Sequence, residues 1–200
     1  NPAVAGDGWR DGITALNTLG GGWGNFPNFP LSSAVDYVNN RVYVAYVEDN
    51  ATDVLRVETV ANNKDPSVAA NWTDTGFPTV TEAGDIALSL TSDESDIYFF
   101  YVLDPGTNSL VFRKCNGFAA PTNGVCDSAN DWGSEKTLYN DTTVSHPSAV
   151  ATKLTSDVVA IDALFTDTTD TDVLYERHYS DLSDKTVAVA ASGDDAFERN

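Results

Sequence analysis

Short apolar runs, separated by turns rich in Asp, Asn, Gly and Pro, dominate the chain, and helical periodicity is nearly absent. Runs of this length bounded by such turns are typical of β-strands. Three of the runs are each followed by a polar turn and a second strand with interleaved charged or polar residues. The three pairs are 41–46 with 53–58, 97–102 with 109–114, and 158–163 with 172–177.

Tryptophans mark the same phase of the pattern. Trp72 and Trp132 follow the first two strand pairs, and Trp23 precedes the first at a comparable distance. Self-similarity with a period of roughly 50 to 60 residues, each unit a set of short strands, indicates a radial or stacked β-repeat. We therefore predict an all-β, propeller-like protein of antiparallel four-stranded blades, incomplete at both termini.

The predicted units run inner strand, second strand, third strand, and an outer strand near the tryptophan. Residues 32–84 and 85–146 are complete repeats, 147–200 is an incomplete repeat, and 1–31 is a partial blade acting as a contact segment. Three and a half units fall short of the four to eight blades of a closed propeller. Either further sequence or a neighbouring copy is expected to supply the remaining strands.

The order of apolar strand, Asp/Asn turn, strand with an arginine, and tryptophan resembles the blades of sialidase-like β-propellers with BNR or Asp-box repeats. The closest local match is Ser128-Ala129-Asn130-Asp131-Trp132-Gly133, which keeps the acid and the aromatic residue. The resemblance covers most of residues 32–177 and concerns the blade pattern. It implies a propeller fold and raises the alternative of a fragment of a sialidase-like exo-glycosidase.

An exo-sialidase site would need an arginine cluster for the substrate carboxylate, with a tyrosine nucleophile and acidic partners. Arg56, Arg113 and Arg177 recur at nearly the same place in each repeat, on the third strand and not the innermost one. A repeated position favours structural ion pairs with the neighbouring turn acids. The two histidines, His146 and His178, stand beside no recognisable nucleophile. No catalytic residue is predicted.

The charge balance restricts the partners. Asp and Glu total 30 against 11 Lys and Arg, for a net charge of −19. Such a field repels nucleic acid and anionic membrane surfaces and attracts divalent cations. No apolar run approaches the ~18 residues that span a bilayer. Because the chain contains no Met, even at position 1, we expect a mature product or a piece of a longer protein.

Two cysteines, Cys115 and Cys126, flank a loop with Gly and Pro, and their spacing predicts a disulfide that closes a hairpin. The alternative is a pair of free thiols or half of a metal site. A disulfide persists in oxidising compartments, so it favours an extracellular or cell-surface location. Sequons at Asn50, Asn71 and Asn140 are consistent with a secreted glycoprotein.

Clustered acids suggest one metal site. Asp167, Asp170 and Asp172 place oxygen ligands on one predicted turn, which suits Ca²⁺, the only candidate cofactor. The turn lacks the Gly and the terminal Glu of an EF-hand loop. A second acidic turn, at 92–96, is similar in kind. The alternative interpretation of both is a solvated hairpin tip.

The N-terminal segment carries a large apolar load in Trp9, Trp23, Phe26 and Phe29. We interpret it as a contact between blades or between subunits; the alternative is a sugar-stacking surface. The sequence as a whole favours a non-catalytic secreted repeat protein that assembles with copies of itself into a filament, sheath or surface layer, or acts in adhesion. Besides the exo-glycosidase fragment, the remaining alternative is a carbohydrate-binding module.

Overall fold

The computed structural model describes ten segments of the chain. They are residues 31–48, 53–82, 86–94, 96–103, 109–116, 123–139, 144–155, 158–167, 173–179 and 187–189. Within them lie thirteen strands and two short 3₁₀ turns. The strands are β1 Leu31–Asp36, β2 Arg41–Glu48, β3 Asp53–Ala61, β4 Thr73–Asp74, β5 Thr81–Glu82, β6 Ile86–Ser92, β7 Ile97–Leu103, β8 Leu110–Cys115, β9 Lys136–Tyr139, β10 Val144–Lys153, β11 Val159–Asp167, β12 Val173–Tyr179 and β13 Val187–Val189.

The strands form three antiparallel sheets, each following chain order. The first sheet is β1-β2-β3-β4, with the short β5 also pairing with β3; the second is β6-β7-β8-β9; the third is β10-β11-β12-β13. Over the described residues no sheet closes on itself. The expectation of an all-β, antiparallel chain is confirmed. The first sheet departs from four strands because residues after its tryptophan return to pair with β3.

The first hairpin of every sheet begins with the same device. A side-chain oxygen at the end of the first strand, or one or two residues beyond it, accepts a hydrogen bond from the backbone N–H three residues later. Such a bond fixes the turn and hence the register. The three bonds are Asn39 N to Asp36 Oδ1 at 2.8 Å, Asp96 N to Asp93 Oδ1 at 2.9 Å, and Val158 N to Thr155 Oγ1 at 3.1 Å.

The second sheet lies between the other two, and β7 is its central element. Ile97, Phe99 and Tyr101 belong to the core shared with the first sheet. Tyr98 and Phe100, which alternate with them, belong to the core shared with the third sheet. Burial on both faces explains why this strand is a continuous apolar run with no alternation.

The first strands of the three sheets lie side by side, and side chains of one strand satisfy the backbone of the next. The Leu90 N–H of β6 donates to Ser32 Oγ of β1 at 2.9 Å. The Ala149 N–H of β10 donates to Ser89 Oγ of β6 at 3.1 Å. Since an unpaired strand edge exposes backbone donors, these hydroxyls help to close the edges of β6 and β10. Among the described residues, no helix has the length and apolar character that crossing a membrane would need.

Candidate functional site

The disulfide lies at the seam between the first and second sheets. Cys115, the last residue of β8, is bonded to Cys126, eleven residues later, and both are buried. The predicted bridge is therefore confirmed. The loop it closes is tied to the first sheet, because Asn39 Nδ2 donates to both Gly124 O and Asp36 Oδ2, at 2.8 and 2.7 Å. The bridge thus stabilises a contact between two sheets as well as a hairpin.

Each of the first two sheets carries a 3₁₀ turn that ends in the repeated tryptophan. The turns are Ala69–Asn71 before Trp72 and Ala129–Asp131 before Trp132. In the second turn the Asp131 carboxylate accepts hydrogen bonds from the backbone N–H groups of Ser128 and Asp127, at 3.0 and 3.2 Å. Asp131 therefore forms a capping box with Ser128 in the turn that directly precedes Trp132.

An aromatic wedge fills the same seam. Phe77, in the connection between β4 and β5, packs edge-to-face on Phe99, Tyr101 and Trp132, with ring centroids 4.9, 5.9 and 4.8 Å away. The preceding Gly76 has φ +63°, and a Cβ there would lie 2.6 Å from the Ala129 backbone nitrogen. Only glycine permits both this backbone conformation and this close approach to Ala129. Gly76 therefore determines how closely Phe77 can approach the second sheet.

The repeated arginines make ion pairs with acids that follow the tryptophans. Arg113 Nη2 lies 3.6 Å from Glu135 Oε2, and Arg56 Nη1 lies 3.7 Å from Asp74 Oδ2. Both arginines thus make ion pairs, but their partners lie in β4 and just before β9. The predicted pairing with acids of the hairpin turns falls on residues outside the described segments. The side chain of Arg177 lies outside the described part of the structure.

The Arg113–Glu135 ion pair is also hydrogen-bonded to Tyr101. Tyrosine is the residue type that a sialidase-like nucleophile would need. Tyr101 is fully buried and its hydroxyl donates to Glu135, while Arg113 Nε donates to Tyr101 Oη at 3.3 Å. Burial, followed by the bond to Glu135, raises the pKa of Tyr101 far above its usual value. A protonated phenol without access to solvent serves as a structural hydrogen-bond donor.

In the acidic turn at 92–96, the carboxylates of Asp93 and Asp96 bond to other groups of the protein. Asp93 is buried and accepts from Asp96 N and from the Tyr98 hydroxyl, at 2.9 and 3.1 Å. Asp96 Oδ2 lies 2.6 Å from Lys114 Nζ. Burial raises the pKa of Asp96, and Lys114 opposes that shift.

The calcium prediction falls mostly outside the described residues. Asp167 ends β11, whereas Asp170 and Asp172 lie outside. Within the described segments no group of three or more His, Cys, Asp and Glu residues could hold a metal ion. The calcium site stays a prediction.

The remaining predicted site residues divide in the same way. Asn71 is half-buried and its Nδ2 donates to Asp65 O at 2.8 Å. The sequons at Asn50 and Asn140 lie outside the described residues, as do the four predicted contact aromatics Trp9, Trp23, Phe26 and Phe29.

The outward faces of the two end sheets carry exposed apolar side chains, which the sequence reasoning did not identify. On the third sheet, Val150 and Leu164 point away from the core and are 51% and 41% exposed. On the first sheet, Leu31 and Val35 are 56% and 37% exposed and pair directly with Tyr46 and Val42. The alternation of core and outward positions within each strand is the signal that could have located them.

The outward faces of the two end sheets can be compared with the faces of the middle sheet. Both faces of the middle sheet are covered by neighbouring sheets. Each end sheet has one outward face. The corresponding face of the middle sheet packs against a neighbouring sheet. Exposed apolar side chains at such a place mark a candidate interaction surface.

Comparison with protein-family models, with curated proteins and with solved structures gives no match. The resemblance to sialidase-like propellers consequently rests on the blade pattern alone.

Proposed function

We propose that this chain is a non-catalytic, secreted β-repeat protein whose sheets are propeller-like blades, and that it acts by associating with copies of itself in an extracellular assembly. The outward face of the third sheet carries the proposal. Its exposed Val150 and Leu164 occupy the position that faces a neighbouring sheet in the rest of the repeat. A second copy that places a sheet there would continue the packing already used within the chain.

Two further observations support this function. In the group of Tyr101, Arg113 and Glu135, the one that comes nearest to a glycosidase-like constellation, the tyrosine is buried and the three side chains bond to one another. The disulfide supports an oxidising, extracellular location. A surface that joins copies of one chain requires no ligand pocket and no catalytic group.

The test is the mass of the native protein in solution, measured by size-exclusion chromatography with light scattering and by electron microscopy of negatively stained material. We expect species larger than one chain. Leu164→Glu should shift them towards the single chain, because a charge would be buried in the contact. Val68→Glu is the matched control, since Val68 is 44% exposed in a loop of the first sheet.

A wild-type protein that is a single chain at all concentrations and forms no ordered particles would contradict the proposal. Equal effects of Leu164→Glu and Val68→Glu on the mass distribution would show that the contact lies elsewhere.

A further inference from the structure

Neighbouring sheets meet through two different faces. We call the face of a sheet that meets the next sheet in chain order its outgoing face, and the face that meets the preceding sheet its incoming face. In the second sheet, Ile97 and Phe99 lie on the incoming face, and Tyr98 and Phe100 lie on the outgoing face. Both contacts within the chain therefore join unlike faces.

Hydroxyl groups on the outgoing faces bond to the first strand of the next sheet. Ser32 of β1 accepts a hydrogen bond from the Leu90 N–H of β6 at 2.9 Å, and Ser89 of β6 accepts one from the Ala149 N–H of β10 at 3.1 Å. Ser32 shares a strand face with Ala34, which packs in the core between the first and second sheets. A hydroxyl of one first strand thus meets a backbone donor of the next.

The outgoing face of the third sheet carries the same kind of groups. Because Ala151 of β10 packs in the core shared with the second sheet, its neighbours in the strand point the other way. We define the outgoing surface as three exposed side chains of β10 and β11, namely Val150, Thr152 and Leu164. Thr152 places a hydroxyl on the outgoing face of a first strand, as the two serines do in the preceding sheets.

The first strand of the first sheet carries side chains that fit this surface. Because Ala34 packs in the core shared with the second sheet, the residues that alternate with it lie on the incoming face. We define the incoming surface as three of them that are exposed, Leu31, Ser33 and Val35. Each of the two surfaces therefore combines two apolar side chains with one hydroxyl.

The edge of β1 also offers backbone donors. The Ser92 hydroxyl donates to the Val35 carbonyl oxygen, so the polar backbone groups of Val35 point to the edge of β1 that lies away from β2. In an antiparallel strand the N–H and C=O of one residue point to the same edge, and alternate residues share that direction. The N–H groups of Ser33 and Val35 therefore point to this edge, as the Leu90 N–H does in β6.

Two outgoing surfaces would complement each other less well. The Ala149 and Ala151 N–H groups of β10 already donate to Ser89 and Thr91. The Thr152 hydroxyl of a second copy would find these two donors occupied. A contact between unlike faces is therefore favoured, and such a heterologous contact repeats from one copy to the next.

We infer that the outgoing surface of one copy binds the incoming surface of the next, with the Thr152 hydroxyl accepting a hydrogen bond from the edge of β1 as Ser89 accepts one from Ala149. The inference rests on the proposed self-association and names the two surfaces that meet. Copies then join head to tail, and the series of sheets continues from one chain into the next.

Two blocked variants test the direction of the contact. Leu164→Glu blocks the outgoing surface and Leu31→Glu blocks the incoming surface, each by a charge that would be buried in the contact. Each variant alone should be a single chain in size-exclusion chromatography with light scattering. An equimolar mixture should contain a complex of two chains, because each variant keeps the surface that the other has lost. Val68→Glu is the control and should assemble like the wild type.

The outcomes separate this inference from the proposed function. A mixture that stays at the mass of one chain, while the wild type assembles, would overturn the inference and leave the proposed self-association intact. Assembly of Leu31→Glu on its own would overturn it too, because like surfaces would then meet. A wild type that is a single chain contradicts the proposed function, and this inference with it.

Cysteine variants give a second measurement with smaller substitutions, so the result does not depend on how the glutamates affect folding. Ser33→Cys and Thr152→Cys replace exposed side chains. A short bifunctional thiol reagent, added to the folded, disulfide-intact proteins, should crosslink the two variants to each other in a mixture. A dimer formed by Thr152→Cys alone would show that two outgoing surfaces meet. That result, or the absence of any crosslink while the wild type assembles, would also overturn the inference.

Discussion

The seam between the first and second sheets differs in kind from the seam between the second and third. The first seam contains the disulfide, the wedge of Phe77 and the hydrogen bond from Asn39 to Gly124. All three involve residues of turns and connections. At the first seam, groups from outside the strands thus add to the packing of the strand faces.

The second seam is made by the strand faces themselves. Phe100 of β7 packs in one cluster with Ile161 and Ala163 of β11. Ser89 and Thr91 of β6 accept hydrogen bonds from the backbone of β10, at 3.1 and 3.3 Å. The chain has only two cysteines, so no disulfide reinforces this seam.

The difference teaches that one repeat pattern can be stabilised in two ways. Strand-face packing is shared by both seams, and at the first seam the connection between β4 and β5 adds further contacts. We therefore expect a single substitution at the first seam to lower stability strongly, because it removes a specific local contact. A single substitution at the second seam should lower stability less, because the contacts there are distributed over the strand faces. The predictions below test that expectation, from the largest effect to the smallest.

Phe77→Ala should lower the free energy of unfolding by about 4 kcal/mol, because it removes a buried ring from three aromatic contacts and leaves a cavity. Denaturant unfolding measures the change. Phe112→Ala is the matched control: Phe112 is half-buried and stacks on Phe100, with ring centroids 5.5 Å apart. If both substitutions lower the free energy of unfolding equally, the contacts of Phe77 are not unusually stabilising, and the comparison of the seams is wrong.

The free energy of unfolding should fall by about 3 kcal/mol in the double variant Cys115→Ser/Cys126→Ser, as the chain-entropy model predicts for a short loop. Because the loop is tied to Asn39, the loss should also loosen the turn that begins at Asp36. Chemical denaturation gives the first quantity, and hydrogen exchange at the Asn39 amide gives the second. Exchange at Val158, in the corresponding turn of the third sheet, is the internal control and should not change.

The sequence predicted the strands well where burial follows a simple rule. β7 is predicted by an unbroken apolar run because both of its faces are buried. β2 and β3 follow from the apolar run, the polar turn and the interleaved charges. The disulfide follows from the spacing of Cys115 and Cys126 around a loop with Gly and Pro. These features depend on residues close together in the chain.

The sequence did not predict the contacts that join the first and second sheets in the described part of the chain. Phe77 lies in a connection with no strand pattern, and its importance depends on the second sheet, which folds over it. The Asp36–Asn39 turn carries an Asx-type signal that could have been found. Its burial and its bond to Gly124 depend on a loop 85 residues away. Periodicity within a strand contains no information on such pairs.

The two seams should also respond differently to alkaline pH. Burial, followed by the Asp36 carboxylate, raises the pKa of Tyr43 at the first seam to about 12. The unfolded value is about 10, so the native state keeps the proton longer and stability falls as pH rises from 10 through 12. A shift of this size corresponds to a loss of about 3 kcal/mol once the pH exceeds both pKa values. Tyr43→Phe should make the fall shallower while changing stability at pH 7 much less.

Tyr98 at the second seam is the comparison for this prediction. Burial and the neighbouring Asp93 carboxylate raise its pKa as well. Its hydroxyl also donates to Asp93, so Tyr98→Phe should lower stability already at pH 7. Unfolding curves of both variants at pH 7 and pH 11 separate the two behaviours. Identical pH dependence of Tyr43→Phe and wild type would contradict the prediction.

The smallest expected effect belongs to the hydroxyl at the second seam. Ser89→Ala removes the acceptor of the Ala149 N–H and should cost about 1 kcal/mol, the usual net contribution of one hydrogen bond. Ser134→Ala is the control, since Ser134 is exposed outside the seam and should change stability little. Hydrogen exchange at Ala149 should become faster in Ser89→Ala and stay unchanged in the control. Because Thr91 still holds the Ala151 N–H, exchange there should change less. If exchange at Ala149 and Ala151 rises equally, the edge of β10 opens as one unit, and the second seam is held by its packed faces and not by separate hydroxyls.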